Sequence, residues 1–115
     1  MTIQNEKGII DITNEVFTLI SGHAATNCFG VKGMAQRNVK DGLVSLLKKE
    51  NISKGVKVSF EDGKVVIELH IVVDHGVNIR AVCESIMTEV RYNVERLTKV
   101  KVKKVNVCVD SIMVD

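Results

Sequence analysis

The stretch GVKVSFEDGKVVIELHIVVDHG, residues 55–76, decides the fold. Val56, Val58 and Phe60 alternate with Lys57 and Ser59. Val65, Ile67, Leu69, Ile71 and Val73 alternate with Val66, Glu68, His70 and Val72. Between the two runs lies Asp62-Gly63, the dipeptide preferred in a type I′ turn because both central residues need positive φ. A two-residue turn fixes the register: Phe60 faces Val65, Val58 faces Ile67 and Val56 faces Leu69. All six side chains then share one face, and Lys57 meets Glu68 on the other. The segment predicts a β-hairpin whose apolar face the rest of the chain covers.

Working outward, the N-terminal side begins with a polar segment. Residues 1–7 are expected to be a flexible tail, and residues 8–115 a single α/β domain. Ile10 and Ile12 alternate with Asp11 and Thr13, which suggests a short strand. Thr13 or Asn14 can cap a following helix, with Glu15 in its first turn. Val16, Leu19, Ile20, His23, Ala24 and Cys28 form a stripe at helical spacing, small residues at Gly22 and Ala24 favour close packing on the sheet, and Gly30 is a natural stop. Residues 30–37 read as a loop. Val39, Leu43, Leu46 and Leu47 predict a second helix from Val39 to about Lys49, weakened by Gly42.

On the C-terminal side, Asn78 is a cap for the longest helix, reaching about Lys99. Its stripe is Ile79, Val82, Cys83, Ile86, Val90, Val94 and Leu97. Arg80 with Glu84 and Arg91 with Glu95 place opposite charges four apart on outer faces. A last strand carries Val105, Val107 and Val109; Val100 and Val102 have the opposite parity, so the strand either bulges near Lys103-Lys104 or begins there. The expected order is β-α-α-β-β-α-β. The fold class is α/β (α+β): a two-layer sandwich in which a mixed or antiparallel sheet of about four strands carries helices on one face. Val66 and Val72 interrupt the polar pattern of the other face, which suggests a second contact surface there, for self-association or a partner.

Composition bounds the function. A chain of 115 residues with 45% apolar residues buries roughly two thirds of its unfolded surface, enough for a core. Aromatic residues make up only 3%, so the core is aliphatic and base-stacking platforms for nucleic acid are disfavoured. A net charge of +2 gives no electrostatic argument for a nucleic-acid partner. Cys28, Cys83 and Cys108, odd in number and set in apolar runs, read as reduced thiols of a cytoplasmic protein. No apolar run approaches the roughly 20 residues of a spanning helix, and MTIQNEKG lacks the apolar core of a signal peptide.

The pieces GIIDITNEVFTLISGHAA (residues 8–25), GVKGM (30–34), GVKVSFEDGKVVIELHIVVDHGVNI (55–79) and VKKVNVCVDSI (102–112) occur in this order over nearly the whole chain. In order and spacing the chain resembles the alkaline shock protein family, the cell-envelope stress response proteins of Gram-positive bacteria. One departure is Arg80, where the family often has proline; arginine fits a helix first turn. The resemblance implies a small cytoplasmic α/β protein tied to envelope and alkaline stress and not known as an enzyme. It also implies a protein partner, since some members are held at the inner face of the membrane by a membrane-anchored one. It carries over no catalytic residues, cofactor or metal.

Four groups of residues are candidate sites. His70, Asp74 and His75 offer metal-ligand chemistry, but His70 and His75 differ in strand parity, and a solvated strand end is the favoured reading. His23 and Cys28 lie about 140° apart on a helix, so a catalytic pair is disfavoured against a buried, hydrogen-bonded histidine. Gly30, Lys32 and Gly33 match the GxxG pattern of KH domains, a candidate loop for single-stranded RNA, against a plain helix stop and connector. Lys99, Lys101, Lys103 and Lys104 form a candidate basic patch for anionic lipid or phosphate, against a strand edge protected by lysines. No nucleophile elbow, P-loop or paired-cysteine motif is present. The leading expectation is a non-catalytic scaffold or adaptor in envelope homeostasis, working through protein contacts at the cytoplasmic side of the membrane, with homo-oligomerisation open. The alternative is a KH-like RNA binder.

Overall fold

Strand β6 (Lys64–Asp74) is the spine of the molecule, with strands paired along both of its edges. The computed structural model describes residues 2–5, 8–11, 14–37 and 42–114. In chain order these form β1 (Thr2–Asn5), β2 (Gly8–Asp11), α1 (Asn14–Thr26), β3 (Val31–Arg37), β4 (Val44–Leu46), a 3-10 helix (Lys49–Gly55), β5 (Val56–Glu61), β6, α2 (Ile79–Thr98) and β7 (Val102–Met113). The mixed five-stranded sheet places β5 and β3 end to end along one edge of β6, both antiparallel, with β4 outside β3. β7 runs parallel along the other edge, and α2 supplies the crossover such a pair requires.

The hairpin has the register the sequence dictates. Val56 pairs Leu69, Val58 pairs Ile67, Phe60 pairs Val65 and Lys57 pairs Glu68. Asp62 and Gly63 have φ of 54° and 75°, as a type I′ turn demands. Val65, Ile67, Leu69, Ile71 and Val73 are all sealed from solvent on the helix-covered face. Onto them pack Phe17, Ala24 and Ala25 of α1 and Val82, Ile86, Val90 and Val94 of α2. Each fully buried valine or isoleucine contributes about 1.5–3 kcal/mol, so the α2 stripe is the main cover.

The structure corrects the expected loop at residues 30–37. Val31–Arg37 is a strand, completing the edge of β6 at Ile71–Val73. Its small residues hid it: Ala35 is fully buried on the face opposite Met34, and Leu46 lies across Gly33, where a Cβ would come within 2.9 Å of it. The expected second helix is absent from residues 42–49. Gly42 takes φ +71°, Val44–Leu46 pairs with β3, and only a 3-10 helix follows; residues 38–41 lie outside the described ones. Thr2–Asn5, expected in a tail, pairs antiparallel with Gly8–Asp11.

The α1 stripe is also rotated from its expected place. Phe17, Ser21, Gly22, Ala24 and Ala25 are buried, whereas Val16 and Leu19 are each 40% exposed and His23 is exposed. The helix turns its small residues inward because they permit close approach: a Cβ on Gly22 would lie 3.3 Å from Ile52 of the 3-10 helix. Phe17 is buried with them, while Val16 and Leu19 are left at the surface.

At the other end of the fold, Asn78 caps α2 as expected, its side chain accepting from Ala81 N at 3.1 Å. Arg80 donates to Glu84 at 3.4 Å. Arg91 and Glu95 instead grip β7: Arg91 donates to the carbonyl of Val102, and Glu95 accepts from Val102 N at 2.8 Å. Of the two readings of the parity change, β7 bulges near Lys103-Lys104 rather than beginning there, with Val65 paired to Val102 and Val66 to Lys104. It reconciles the two parities, since Val102 and Val105 are both buried. Lys99 ends α2 in the left-handed region at φ 63°. Lys99→Gly is therefore expected to stabilise the protein by about 1 kcal/mol, read as a higher urea midpoint with unchanged slope. A lower midpoint would contradict this account of the cap.

Candidate functional site

Two surfaces concentrate chemistry, one on each side of the sheet. On the open side, strand alternation sends Glu68 and His70 of β6 outward, together with Cys108 and Asp110 of β7 and Lys57 of β5. The parallel pairing sets His70 beside Cys108. A second bulge follows, in which Ile71 pairs Val109 and Val72 pairs Ser111, so Asp110 is the extra residue. Its carboxylate lies against His70: Nδ1 is 3.0 Å from Oδ2 and 3.2 Å from Oδ1. On the other side of the ring, Nε2 is 2.9 Å from Glu68 Oε2. Lys57 Nζ is 3.9 Å from the same Glu68 oxygen.

The imidazole thus lies between two carboxylates, its side chain 25% exposed and that of Asp110 only 9%. Burial alone would lower the His70 pKa, but hydrogen bonds to Glu68 and Asp110, with their charges, outweigh it and raise the pKa above 6.5. Cys108 is pushed up by burial and by the charges of Glu68 and Asp110, with Lys57 opposing. Val66 and Val72 on this face are 7% and 2% exposed, so the expected second contact surface offers no open apolar area at either valine.

The His70 arrangement sets a pH dependence. A raised folded-state pKa means that the histidine contributes stability fully below its unfolded pKa near 6.5, and that the contribution is lost as pH rises through the folded value. In chelator-treated protein, the stability difference between wild type and His70→Gln is expected to be largest near pH 5 and to shrink toward pH 8. Urea titrations at stepped pH measure it. A difference that grows with pH would refute the two-carboxylate account.

The helix side carries the second surface. α1 and α2 pack side by side and leave a groove along their seam. At one end a cavity of about 400 Å³ is lined by Leu19, Ile20, His23, Ala24, Asn93 and Leu97, among others. It continues past Asn27, Ser85 and Glu89 to a third hollow against Phe29, Val77 and Ala81. Leu97 is 55% exposed and Phe29 89%. From Ala81 to Leu97 the seam is about 24 Å long at 1.5 Å per residue.

The sequence-predicted candidates fall as follows. His70 belongs to the sheet cluster, but Asp74 and His75 do not join it; His75 lies in the turn after β6, its N–H donating to Met113 O. The other members were missed because they depend on the β6–β7 pairing, although the alternation in ELH and CVD was a usable signal. His23, expected to be buried, lines the groove, and Cys28 Sγ donates to Ala24 O at 3.4 Å. Gly30 is in the turn after α1, while Lys32 and Gly33 belong to the bulged strand β3, so GVKG is not a loop between two helices. The lysines disperse: Lys103 pairs with Glu61 at 3.3 Å and Asp62 at 3.0 Å, Lys99 caps α2, and Lys101 and Lys104 are exposed.

The family model of the alkaline shock proteins, described as having a cell envelope-related function, matches residues 2–114. The chain belongs to this family. As an alkaline shock family protein it is 39% identical over 113 residues to the uncharacterized protein YloU of Bacillus subtilis (strain 168), covering 97% of this chain and 94% of that one. It is 36% identical over 113 residues to the uncharacterized protein Spy1614 of Streptococcus pyogenes serotype M6, covering 97% and 93%. No solved structure matches the chain. Among the described residues of this family member, no helix is long and apolar enough to cross a membrane.

Proposed function

We propose that this protein is a non-catalytic adaptor in cell-envelope homeostasis, working at the cytoplasmic side of the membrane by holding an amphipathic helix of a protein partner in the α1–α2 seam. The observation that carries the reading is the groove itself. It joins three hollows over about 24 Å, enough for four turns of helix. It exposes large apolar side chains at both ends, Leu19 and Leu97 at one and Phe29 at the other. A third helix laid between two others is a common recognition mode, with anchors every three or four residues. Glu89 is the one carboxylate among these lining residues and lies mid-groove, so the fitting partner carries apolar anchors at its ends and a lysine or arginine between them. The family's envelope-related description supports an envelope protein as the source of that helix.

The test is in-cell photo-crosslinking from Leu97 and Phe29, with Lys57 on the opposite face as control, followed by mass spectrometry of the joined peptides with and without nuclease. The expected product is one envelope protein, joined through an amphipathic helical peptide with a central basic residue, resistant to nuclease and lost in Leu19→Glu and Glu89→Lys. Crosslinks only between copies of this chain, only from Lys57, or only to RNA-dependent complexes would overturn the reading.

A further inference from the structure

The geometry points to a divalent metal site on the open sheet face, which we propose binds Zn2+ through Glu68, His70 and Cys108, with Asp110 orienting the histidine. Among the described residues this is the one group of three or more potential ligands brought together, their donor atoms all within 4.8 Å of one another. The donor set is one thiolate, one imidazole and one carboxylate, a mixture that suits zinc and leaves a fourth tetrahedral position for water. Ligand atoms on one zinc ion sit about 3.3–3.8 Å apart, given bonds of about 2.0–2.3 Å. The three groups therefore need to shift by no more than about an ångström. They stand on two paired strands, the central β6 and the edge strand β7, so the long parallel ladder between them fixes their backbone positions.

Asp110 supplies the second, independent observation. A metal-bound histidine commonly gives its other ring N–H to a carboxylate, which fixes the tautomer. Here Nδ1 faces the nearly buried Asp110 carboxylate at 3.0 Å. With the ring proton held there, Nε2 turns its lone pair toward Glu68 Oε2 at 2.9 Å. Two electron-pair donors at that distance need a proton or a metal ion between them, and the Cys108 sulfur beside them is the donor that favours the metal. The bulge at Asp110 is what aims this carboxylate at the ring, as bulges next to functional sites do. The charges facing the site are Lys57 from β5, Glu68 and His70 from β6, and Cys108 and Asp110 from β7. On binding, the Cys108 thiol gives its proton to solvent and its sulfur electron pair to the metal. Lys57, 3.9 Å from Glu68, is the resident competitor for that carboxylate.

The experiment uses chelator-stripped full-length protein titrated with Zn2+ in competition with a chromophoric chelator, and separately with Co2+ alone. One equivalent of zinc is expected, and cobalt is expected to give a thiolate-to-metal charge-transfer band. Cys108→Ser abolishes the band, while Cys83→Ser leaves it unchanged. His70→Gln and Glu68→Gln each weaken binding at least tenfold. Asp110→Asn keeps the band but weakens binding about 10- to 100-fold, as loss of an orienting carboxylate does. Lys57→Ala tightens it. Circular dichroism establishes that each variant is folded. A folded wild type with no cobalt–thiolate band, a band that survives Cys108→Ser, or affinity indifferent to His70→Gln would each overturn the site.

Discussion

Leu69→Ala is expected to lower the free energy of unfolding by about 3–5 kcal/mol, toward the upper end for a buried leucine. Leu69 is fully buried at the middle of β6, paired with Val56 on one side and Val107 on the other. It shares one core with Ile67 and Ile71 of the same strand and Ile86 and Val90 of α2, all at 0% exposure. These β-branched side chains have one favoured rotamer in most settings and move poorly into a vacancy. The core also lacks tryptophan and holds few aromatic rings that could swing across the gap. The cavity therefore stays largely open, and its cost adds to the lost transfer energy. For a domain whose total stability is about 5–15 kcal/mol, that is a large fraction. Urea denaturation, followed by circular dichroism, measures the change. Phe60→Leu is the contrasting control: Phe60 is 37% exposed at the sheet end and meets Phe17 edge-on at 5.7 Å, so its loss is expected to cost about 1 kcal/mol. A Leu69→Ala cost below that of Phe60→Leu would mean that β6 is not the centre of the core.

The parts of this fold legible in the sequence share one property: their pattern and their local chemistry agree. The hairpin had alternation plus Asp62-Gly63, and its register is as derived. The long helix had a periodic stripe plus Asn78, and both its cap and its buried residues Val82, Ile86, Val90 and Val94 are found. The parity change at Val102–Val105 could only mean a bulge or a later start, and it is a bulge. The failures fall where packing overrides hydrophobicity. In α1 the buried face is Phe17 with the small residues Ser21, Gly22, Ala24 and Ala25, so Leu19, Ile20 and His23 of the expected stripe became the wall of a groove. In β3, Gly33 and Ala35 carry almost no strand signal, yet they fit under Leu46 and beside β6, where larger side chains would not. The sheet cluster was half visible. His70 was singled out, but its partners Cys108 and Asp110 are about forty positions away, and only the parallel β6–β7 register brings them in.

Gly30→Ala is the second change with a large expected effect, about 2–5 kcal/mol of destabilisation, and it discriminates between two meanings of the same motif. If GVKG were a nucleic-acid clamp, an alanine at Gly30 would impair binding and leave the fold intact. The structure gives Gly30 a packing role instead. Its φ is +88°, in the region where a Cβ meets the neighbouring carbonyl and costs about 1–2 kcal/mol. That Cβ would also come within 2.8 Å of Val82 Cγ2 and 3.2 Å of Val77 Cγ1. Val82 is 5% exposed in the first turns of α2 and cannot retreat without opening the core, so overpacking adds about 1–3 kcal/mol. The carbonyl of Gly30 accepts from Asp74 N at 2.9 Å, which ties the turn to the end of β6. Strain at this point therefore reaches the β6–α2 connection as well as α1. Lys32→Ala, two residues on and exposed, supplies the comparison: it removes the one charge a phosphate clamp would use, with an expected stability change within about 0.5 kcal/mol. Urea titrations of both variants, with affinity for a single-stranded RNA measured in parallel, decide between the meanings. A stable Gly30→Ala protein, together with RNA binding lost in Lys32→Ala, would restore the clamp; a strongly destabilised Gly30→Ala beside an unaffected Lys32→Ala assigns the glycine to the seat of α2.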